Sequence, residues 1–358
     1  MITMLQLFKT AVSQGASDLH VLSDSPPVLR VNSRISRIDH PPLTPDQTKE
    51  LCFSILNENQ KAEFENKRVL DFSFAVGDEY RFRGHLYFQK GTIGGAFRCI
   101  PTQIPQLKTL GFPNSVFDMP RYPHGLVLVT GPTGSGKSTT LASMVKEVNN
   151  IKRGLIITVE DPIEYVHTHD KCVILQKELG TDIYTFGDGL RAALREDPDV
   201  CLVGEMRDKE TITTALHTAE TGHLVLSTLH TNTAFDAVER VIGVFGGEEK
   251  ALIRNQLSNS LRAVICQRLL PTMDGRGRVL CYELMYATVG VRNLIREGKQ
   301  HQLYSLMLTQ QQEGMVTFNQ CLARLVKANT ISIETALEAT TMPKELETLI
   351  KNSITEAA

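Results

Sequence analysis

The sequence lacks the features that mark membrane-spanning, exported and disulfide-bonded proteins. No apolar run approaches the ~20 residues of a membrane span, and residues 1–9 lack the basic start and long apolar core of a signal peptide. Its seven cysteines include no C-x-x-C pair, the usual beginning of a structural zinc site. We therefore expect a cytoplasmic protein with reduced, mostly buried thiols.

The balance of charged residues argues against one class of protein. The 358 residues include 38 Lys and Arg against 40 Asp and Glu, a formal net charge of -2. Neither a basic stripe nor a strip of interleaved aromatic and basic residues is present, which disfavours a nucleic-acid translocase. The length predicts two or three domains, each with an ample core.

The most informative segment is residues 131–139, which read Gly-Pro-Thr-Gly-Ser-Gly-Lys-Ser-Thr and fit the phosphate-loop pattern G-x-x-x-x-G-K-[ST]. The apolar run 126–129 before it is typical of a buried parallel strand, and apolar residues recur after it at helical spacing. A strand, a glycine-rich turn and a helix N-terminus together predict a nucleoside triphosphate site; a chance match would not fill all three. The phosphate-binding candidates are Thr133, Gly134, Ser135, Gly136, Lys137, Ser138 and Thr139. Of these, Lys137 would reach the outer phosphates and Ser138 would ligate Mg²⁺.

Changes in hydrophobic pattern along the chain predict its domains. Residues 80–88 alternate apolar and polar, as strands of an antiparallel sheet do, and residues 1–100 are predicted to form a small α+β domain. The proline-rich residues 101–123 are predicted to be a linker. Residues 124–270 alternate strands and helices, which predicts a doubly wound parallel sheet, and residues 271–358 are predicted to be a helical subdomain.

Polar residues follow three of the predicted parallel strands, where ligands bind in such sheets. Glu205 follows the apolar run 200–203, as a magnesium-binding or water-orienting acid does in nucleotide-hydrolysing enzymes. A second carboxylate is expected from Glu160, Asp161 or Glu164, although Glu160 and Asp161 could equally be loop carboxylates. His230 follows the run 224–226 and would donate a hydrogen bond to the γ-phosphate; a lone histidine here is more often structural, and the histidine spacing disfavours a zinc site.

Four segments together resemble the secretion ATPase superfamily, and within it the PilT-like retraction motors of type IV pili. They are the phosphate loop, residues 157–165, which resemble the aspartate box, residues 194–208, which resemble the Walker B segment, and residues 221–233, which resemble the histidine box. Residues 15–20 and 291–297 also resemble signatures of that family. The resemblance covers nearly the whole chain.

This resemblance implies a PAS-like α+β domain followed by a RecA-like P-loop ATPase domain with a C-terminal helical subdomain. It implies that Lys137 and Ser138 bind phosphate and magnesium, that Glu205 is the Walker B acid, and that Glu164 is the base. His230 would sense the γ-phosphate. Arginines of the N-terminal domain would complete the sites, and the candidates, which could instead be an ordinary polar strand face, are Arg81, Arg83 and Arg98.

The family also implies partners and a location. The chain would form a homohexamer that hydrolyses Mg-ATP to power pilus retraction, at the cytoplasmic face of the inner membrane. Its partners would be a polytopic platform protein of the pilus machine and a second retraction ATPase. The absence of a four-cysteine zinc module favours retraction over assembly. An accessory PilU-like ATPase and a type II or IVB secretion ATPase remain alternatives, since Gly290-Val291 and Gly246-Gly247 depart from the family pattern and leave the subfamily open. A scaffold that binds ATP without hydrolysing it is an alternative of another class, which Glu205, Glu164 and His230 disfavour.

Overall fold

The computed structural model describes residues 2–31, 34–77, 80–100 and 103–355, with the side chains described as far as residue 351. The chain divides into two compact units, Met1–Gln103 and Ile104–Ala358. The first two residues of the predicted linker, Pro101 and Thr102, lie outside the described residues, as do the last three of the predicted C-terminal subdomain.

The first unit is an α+β domain built on a six-stranded antiparallel sheet in the order β3-β2-β1-β6-β5-β4. Its elements are α1 (Met4–Ser13), β1 (Asp18–Val21), β2 (Val28–Val31), β3 (Arg34–Arg37), α2 (Pro45–Phe53), α3 (Glu58–Lys67), β4 (Val69–Val76), β5 (Tyr80–Gln89) and β6 (Thr92–Ile100). One face carries the core, because Phe82 and Leu86 of β5 are fully buried while Arg83 between them is exposed. The alternation predicted for residues 80–88 is therefore confirmed.

Helix α1 buries a different stripe from the one its sequence indicates. Leu5, Phe8 and Val12 stand at helical spacing, but Leu5 is 48% exposed. The buried side chains are instead Met4, Leu7, Phe8 and Ala11. Two apolar stripes overlap on this short helix, and packing against the sheet selects between them.

The second unit is a seven-stranded sheet in the order β13-β12-β7-β11-β10-β8-β9, parallel except for β13. Its strands are β7 (Gly125–Thr130), β8 (Leu155–Glu160), β9 (Val173–Glu178), β10 (Val200–Val203), β11 (Leu224–Leu229), β12 (Leu261–Pro271) and β13 (Arg278–Tyr286). Its helices are α4 (Lys137–Ile151), α5 (Phe186–Ala193), α6 (Lys209–Glu220), α7 (Ala234–Gly243), α8 (Glu249–Ser260), α9 (Val289–Glu297), α10 (Leu303–Thr309), α11 (Phe318–Lys327), α12 (Ile333–Ala339) and α13 (Pro343–Thr355). Every residue of β7, β10 and β11 is buried, since a core cluster lies on each face of the sheet.

Two parts of this unit differ from the pattern-based expectations. The segment 271–358, predicted to be helical, contains β13, which pairs with β12 along its whole length and extends the sheet of the second unit. The predicted linker also contributes to the core: residues 107–109 and 114–121 form 3-10 turns in which Leu107, Val116 and Met119 are buried. Both differences arise because packing partners distant in sequence give these segments their structure.

All seven cysteines are unpaired, and six of them are buried. Among residues 2–31, 34–77, 80–100 and 103–355, no helix combines the length and apolar character that crossing a bilayer requires.

Candidate nucleotide-binding site

The phosphate loop connects β7 to α4 through three glycines with positive φ. Gly131, Gly134 and Gly136 have φ of 143°, 78° and 91°. A Cβ at Gly131 would collide with the backbone oxygen of Gln267, so this position requires glycine for space as well as conformation. Gly136 is the N-cap of α4 and has no side chain to cap it, which leaves the first N–H groups of the helix available to an anion.

Lys137 is held inside this loop by its own backbone. Its Nζ donates to the carbonyl oxygens of Gly131 at 2.9 Å and Pro132 at 3.1 Å. Burial lowers the pKa of Lys137 below its usual range, whereas the nearby carboxylates of Glu205 and Glu164 act in the opposite direction. The ammonium group therefore already lies in the field of both predicted catalytic acids.

Ser135 provides an independent sign that the loop is built around a polar ligand. The residue is 2% exposed, and its hydroxyl has no hydrogen-bond partner in the described part of the chain. A buried hydroxyl without a partner is costly, and a phosphate oxygen is a partner that would satisfy it.

The order of the strands brings the predicted motifs to one edge. From β7, which leads into the phosphate loop, the next strands are β11, β10 and β8. These strands are parallel, and they lead in turn to His230, Glu205 and the acidic residues 160–164. Four neighbouring strands thus deliver all four motifs to their carboxyl ends, as the sequence predicts.

Glu205 is fixed by the short turn that follows β10. The hydroxyl of Thr228 donates to the carbonyl of Gly204 at 2.5 Å, and a Cβ at Gly204 would lie 3.2 Å from the oxygen of Val159. One carboxylate oxygen of Glu205 forms an ion pair with Nε of Arg207 at 2.7 Å. Nε2 of His230 lies 3.4 Å from the other oxygen. A cation and an imidazole therefore flank the acid.

The acidic segment after β8 contains residues with different environments. Glu160 accepts hydrogen bonds from Thr158 at 2.7 Å and Gln176 at 3.2 Å, and burial raises its pKa above the ordinary value. Asp161 and Glu164 are exposed, but only Glu164 contributes to the field at Lys137. The neighbouring Tyr165 is buried, and its hydroxyl lies 2.8 Å from Oγ1 of Thr139 in α4.

The three candidate arginines belong to the first compact unit. Arg83 and Arg98 are opposite each other on β5 and β6. Nε of Arg98 donates to Asp18 at 3.2 Å, and its side chain is 69% exposed. Arg81 is half-buried on the same strand as Arg83. A role for any of them at a nucleotide site stays a prediction.

Three residues of the site were not recognised in the sequence. Arg207 lies in the segment that resembles Walker B, but the chemistry of phosphate loops assigns no role to an arginine at this position. Tyr165 is the last residue of the segment that resembles the aspartate box. Gln267 lies on β12, a strand that we did not predict although the apolar run 263–266 could have indicated it. Tyr165 contacts Thr139, 26 residues earlier in the chain, and Gln267 contacts Thr140, 127 residues earlier, so the tertiary structure reveals both.

A glycine-rich loop at the carboxyl edge of a parallel sheet, with an acid at the same edge after the next strand but one, defines a RecA-like P-loop ATPase. The profile of the family described as type II/IV secretion system protein matches residues 107–338. The chain belongs to this family.

Individual relatives agree with that placement. The type IV pilus retraction ATPase PilT of Pseudomonas aeruginosa is 47% identical over 95% of this chain and 98% of its own length. The type IV pilus ATPase PilU of the same organism is 38% identical over 97% of this chain and 91% of its own. The crystal structure of the pilus retraction motor PilT with bound ADP superposes with a TM-score of 0.91, at 47% identity, and covers 97% of this chain and 100% of that one.

Proposed function

We propose that this chain is a hexameric motor that hydrolyses Mg-ATP to power the retraction of type IV pili. The observation that carries the proposal is the convergence of Lys137, Glu205 and His230 at one edge of the sheet. The full-length similarity to PilT supports retraction as the work that the hydrolysis drives.

Each site residue has a role that its position suits. The loop N–H groups and Lys137 would bind the phosphates, with Thr133, Gly134, Ser135, Gly136 and Thr139 shaping that cradle. Ser138 and Glu205 supply the oxygen donors that Mg²⁺ prefers, and among the described residues no cluster of three His, Cys, Asp or Glu competes as a metal site. When bound, the ion would neutralise charge on the phosphates. Glu164 would accept the proton of the attacking water, and His230 would donate to the γ-phosphate.

The proposal extends to assembly and place of action. The chain would form a homohexamer, in which Arg81, Arg83 and Arg98 contribute positive charge to the nucleotide sites. It would work in the cytoplasm against the inner membrane, on a polytopic platform protein, with a second retraction ATPase as a further partner. Nucleic acid is not among the proposed partners, because the net charge of -2 gives no electrostatic attraction to phosphate backbones.

Purified protein tests the hydrolytic part. Glu205→Gln should lower the ATPase rate at least a hundredfold while ATP still binds, because the substitution removes the charge and keeps the shape. Lys137→Ala should weaken nucleotide binding itself. Glu239→Gln, which alters an exposed carboxylate on α7, is the matched control and should be fully active. Undiminished steady-state hydrolysis by Glu205→Gln would show that the acid is assigned wrongly.

A deletion strain tests the biological part. Cells without the gene should carry intact and overabundant pili that do not retract, and the wild-type chain or Glu239→Gln should restore retraction, whereas Glu205→Gln should not. Unchanged retraction in the deletion strain would instead favour an accessory ATPase of the PilU kind or a secretion ATPase.

A further inference from the structure

Gln267 occupies a buried position beside the phosphate loop that none of the proposed catalytic roles uses. Strand β12 runs parallel to β7, and its Cys266 is in register with Thr130, the last residue before the loop. Gln267 therefore lies level with the loop's first glycine and is 1% exposed. A fully buried amide is uncommon unless both of its ends are hydrogen-bonded.

Both ends of this amide are used, and each holds a different part of the loop. Nε2 of Gln267 donates to the carbonyl oxygen of Ser135 at 2.8 Å, and Oε1 accepts from Oγ1 of Thr140 at 3.0 Å. Because a carbonyl oxygen can only accept, the contact with Ser135 fixes which end of the amide is nitrogen. One side chain thus ties the tip of the loop to the first turn of α4.

The same residue also packs against the two ends of the loop. Its backbone oxygen fills the space that a Cβ at Gly131 would need, and its amide nitrogen would lie 3.2 Å from a Cβ at Gly136. Gln267 therefore leaves little room for a side chain at either position, and the positive φ of both residues also favours glycine.

The contacts of Gln267 differ in kind from those of Lys137. Lys137 holds the loop through the carbonyl groups of Gly131 and Pro132, and it must leave them to reach a phosphate. Gln267 uses a loop carbonyl and a helix hydroxyl, while the backbone N–H groups, which bind phosphate in such loops, remain available. Its hold on the loop is compatible with both the ligand-free and the nucleotide-bound form.

We propose that Gln267 is a positioning residue, which keeps residues 135–140 in the anion-binding shape before nucleotide arrives. Part of the nucleotide affinity then comes from this preorganisation, since a loop that is already ordered loses less conformational entropy on binding. The inference rests on the nucleotide site alone, so it is independent of whether the motor retracts pili.

Binding of a fluorescent ADP analogue without Mg²⁺ to the full-length protein tests the inference. Gln267→Leu, which keeps the volume and removes both hydrogen bonds, should raise the Kd about tenfold. It should raise KM for ATP and leave kcat within about twofold at saturation, because Gln267 does not touch the reacting atoms. In hydrogen exchange, the amides of residues 133–138 should be less protected in the ligand-free variant and regain protection with saturating nucleotide.

Asn149 offers a matched control at the opposite end of α4. Its buried amide accepts from Cys172 N at 3.0 Å and donates to Thr168 O at 2.9 Å. Asn149→Leu should lower the melting temperature and leave the Kd unchanged. An equal rise of the Kd in this control would reduce the effect of Gln267 to general destabilisation and overturn the proposal, as would an unchanged Kd in folded Gln267→Leu.

If Gln267→Leu does not fold, variants of Thr140 test the positioning role instead. Thr140→Val removes one of the two contacts and should raise the Kd by a smaller factor, whereas Thr140→Ser keeps the hydroxyl and should bind like the wild type. Equal affinity in all three proteins would contradict a positioning role.

Discussion

His230 Nε2 lies 3.4 Å from Glu205 Oε2, and the two residues follow neighbouring parallel strands, β11 and β10. The pair joins a candidate γ-phosphate sensor directly to the candidate Walker B acid. In the proposed motor, a γ-phosphate that moves His230 would therefore also affect the alignment of Glu205.

His230→Ala is predicted to reduce kcat on the order of a hundredfold while ADP affinity is retained, because it removes the proposed donor to the γ-phosphate, a group that ADP lacks. Steady-state kinetics and ADP titration measure the two effects. The control is His223→Ala, since His223 lies at the other end of β11 and its Nδ1 is 3.0 Å from the oxygen of Thr218. A full loss of ADP binding in His230→Ala would assign the histidine to the loop instead.

Arg207→Gln is predicted to lower the Mg²⁺ concentration for half-maximal ATPase activity about two- to fivefold. The arginine side chain is 67% exposed and paired with Glu205 at 2.7 Å, so in the proposed site it would compete with Mg²⁺ for this carboxylate through a weak surface pair. Arg191→Gln, which breaks the exposed pairs of Arg191 with Asp188 and Glu210, should leave the Mg²⁺ dependence as it is. Activity as low as that of Glu205→Gln would mean that Arg207 acts on the reaction itself.

Tyr165→Phe and Thr139→Val are predicted to be non-additive. Each removes the 2.8 Å hydrogen bond between the aspartate box and α4, so the double variant should be little worse than either single one. We expect a coupling of about 1 kcal/mol in ATP affinity, the usual net value of one hydrogen bond. Strict additivity in a double-mutant cycle would show that the two hydroxyl groups do not communicate.

Glu283→Gln is predicted to remove a pH dependence of stability. Glu283 is 2% exposed and accepts from the N-terminal N–H groups of α7 and α11, at Ala234 and Phe318. Burial raises its pKa from 4.5 to about 7. The folded protein thus holds a proton that the unfolded chain releases, so this group's contribution to stability falls between pH 4.5 and 7, by up to about 3 kcal/mol.

Thermal unfolding at several pH values between 5 and 8 measures this effect. The melting temperature of Glu283→Gln relative to the wild type should rise as the pH rises, and that of the surface variant Glu239→Gln should follow the wild type throughout. A constant difference between Glu283→Gln and the wild type across this range would contradict a raised pKa.

The sequence by itself determined the phosphate loop, the acid after β10 and the histidine after β11. In each case a short apolar run and the polar residues after it are adjacent in the chain, so local patterning is enough to place them. It also predicted the alternating β5 strand and the parallel sheet, because both periodicities are local.

Only the tertiary structure decided which of these residues touch. The sheet order places the end of β11 between the phosphate loop and Glu205, and β12 delivers Gln267 to a loop 132 residues earlier. Strand β13 was predicted as helical sequence for the same reason: its conformation depends on pairing with β12, and strand pairing is a long-range interaction that periodicity does not encode.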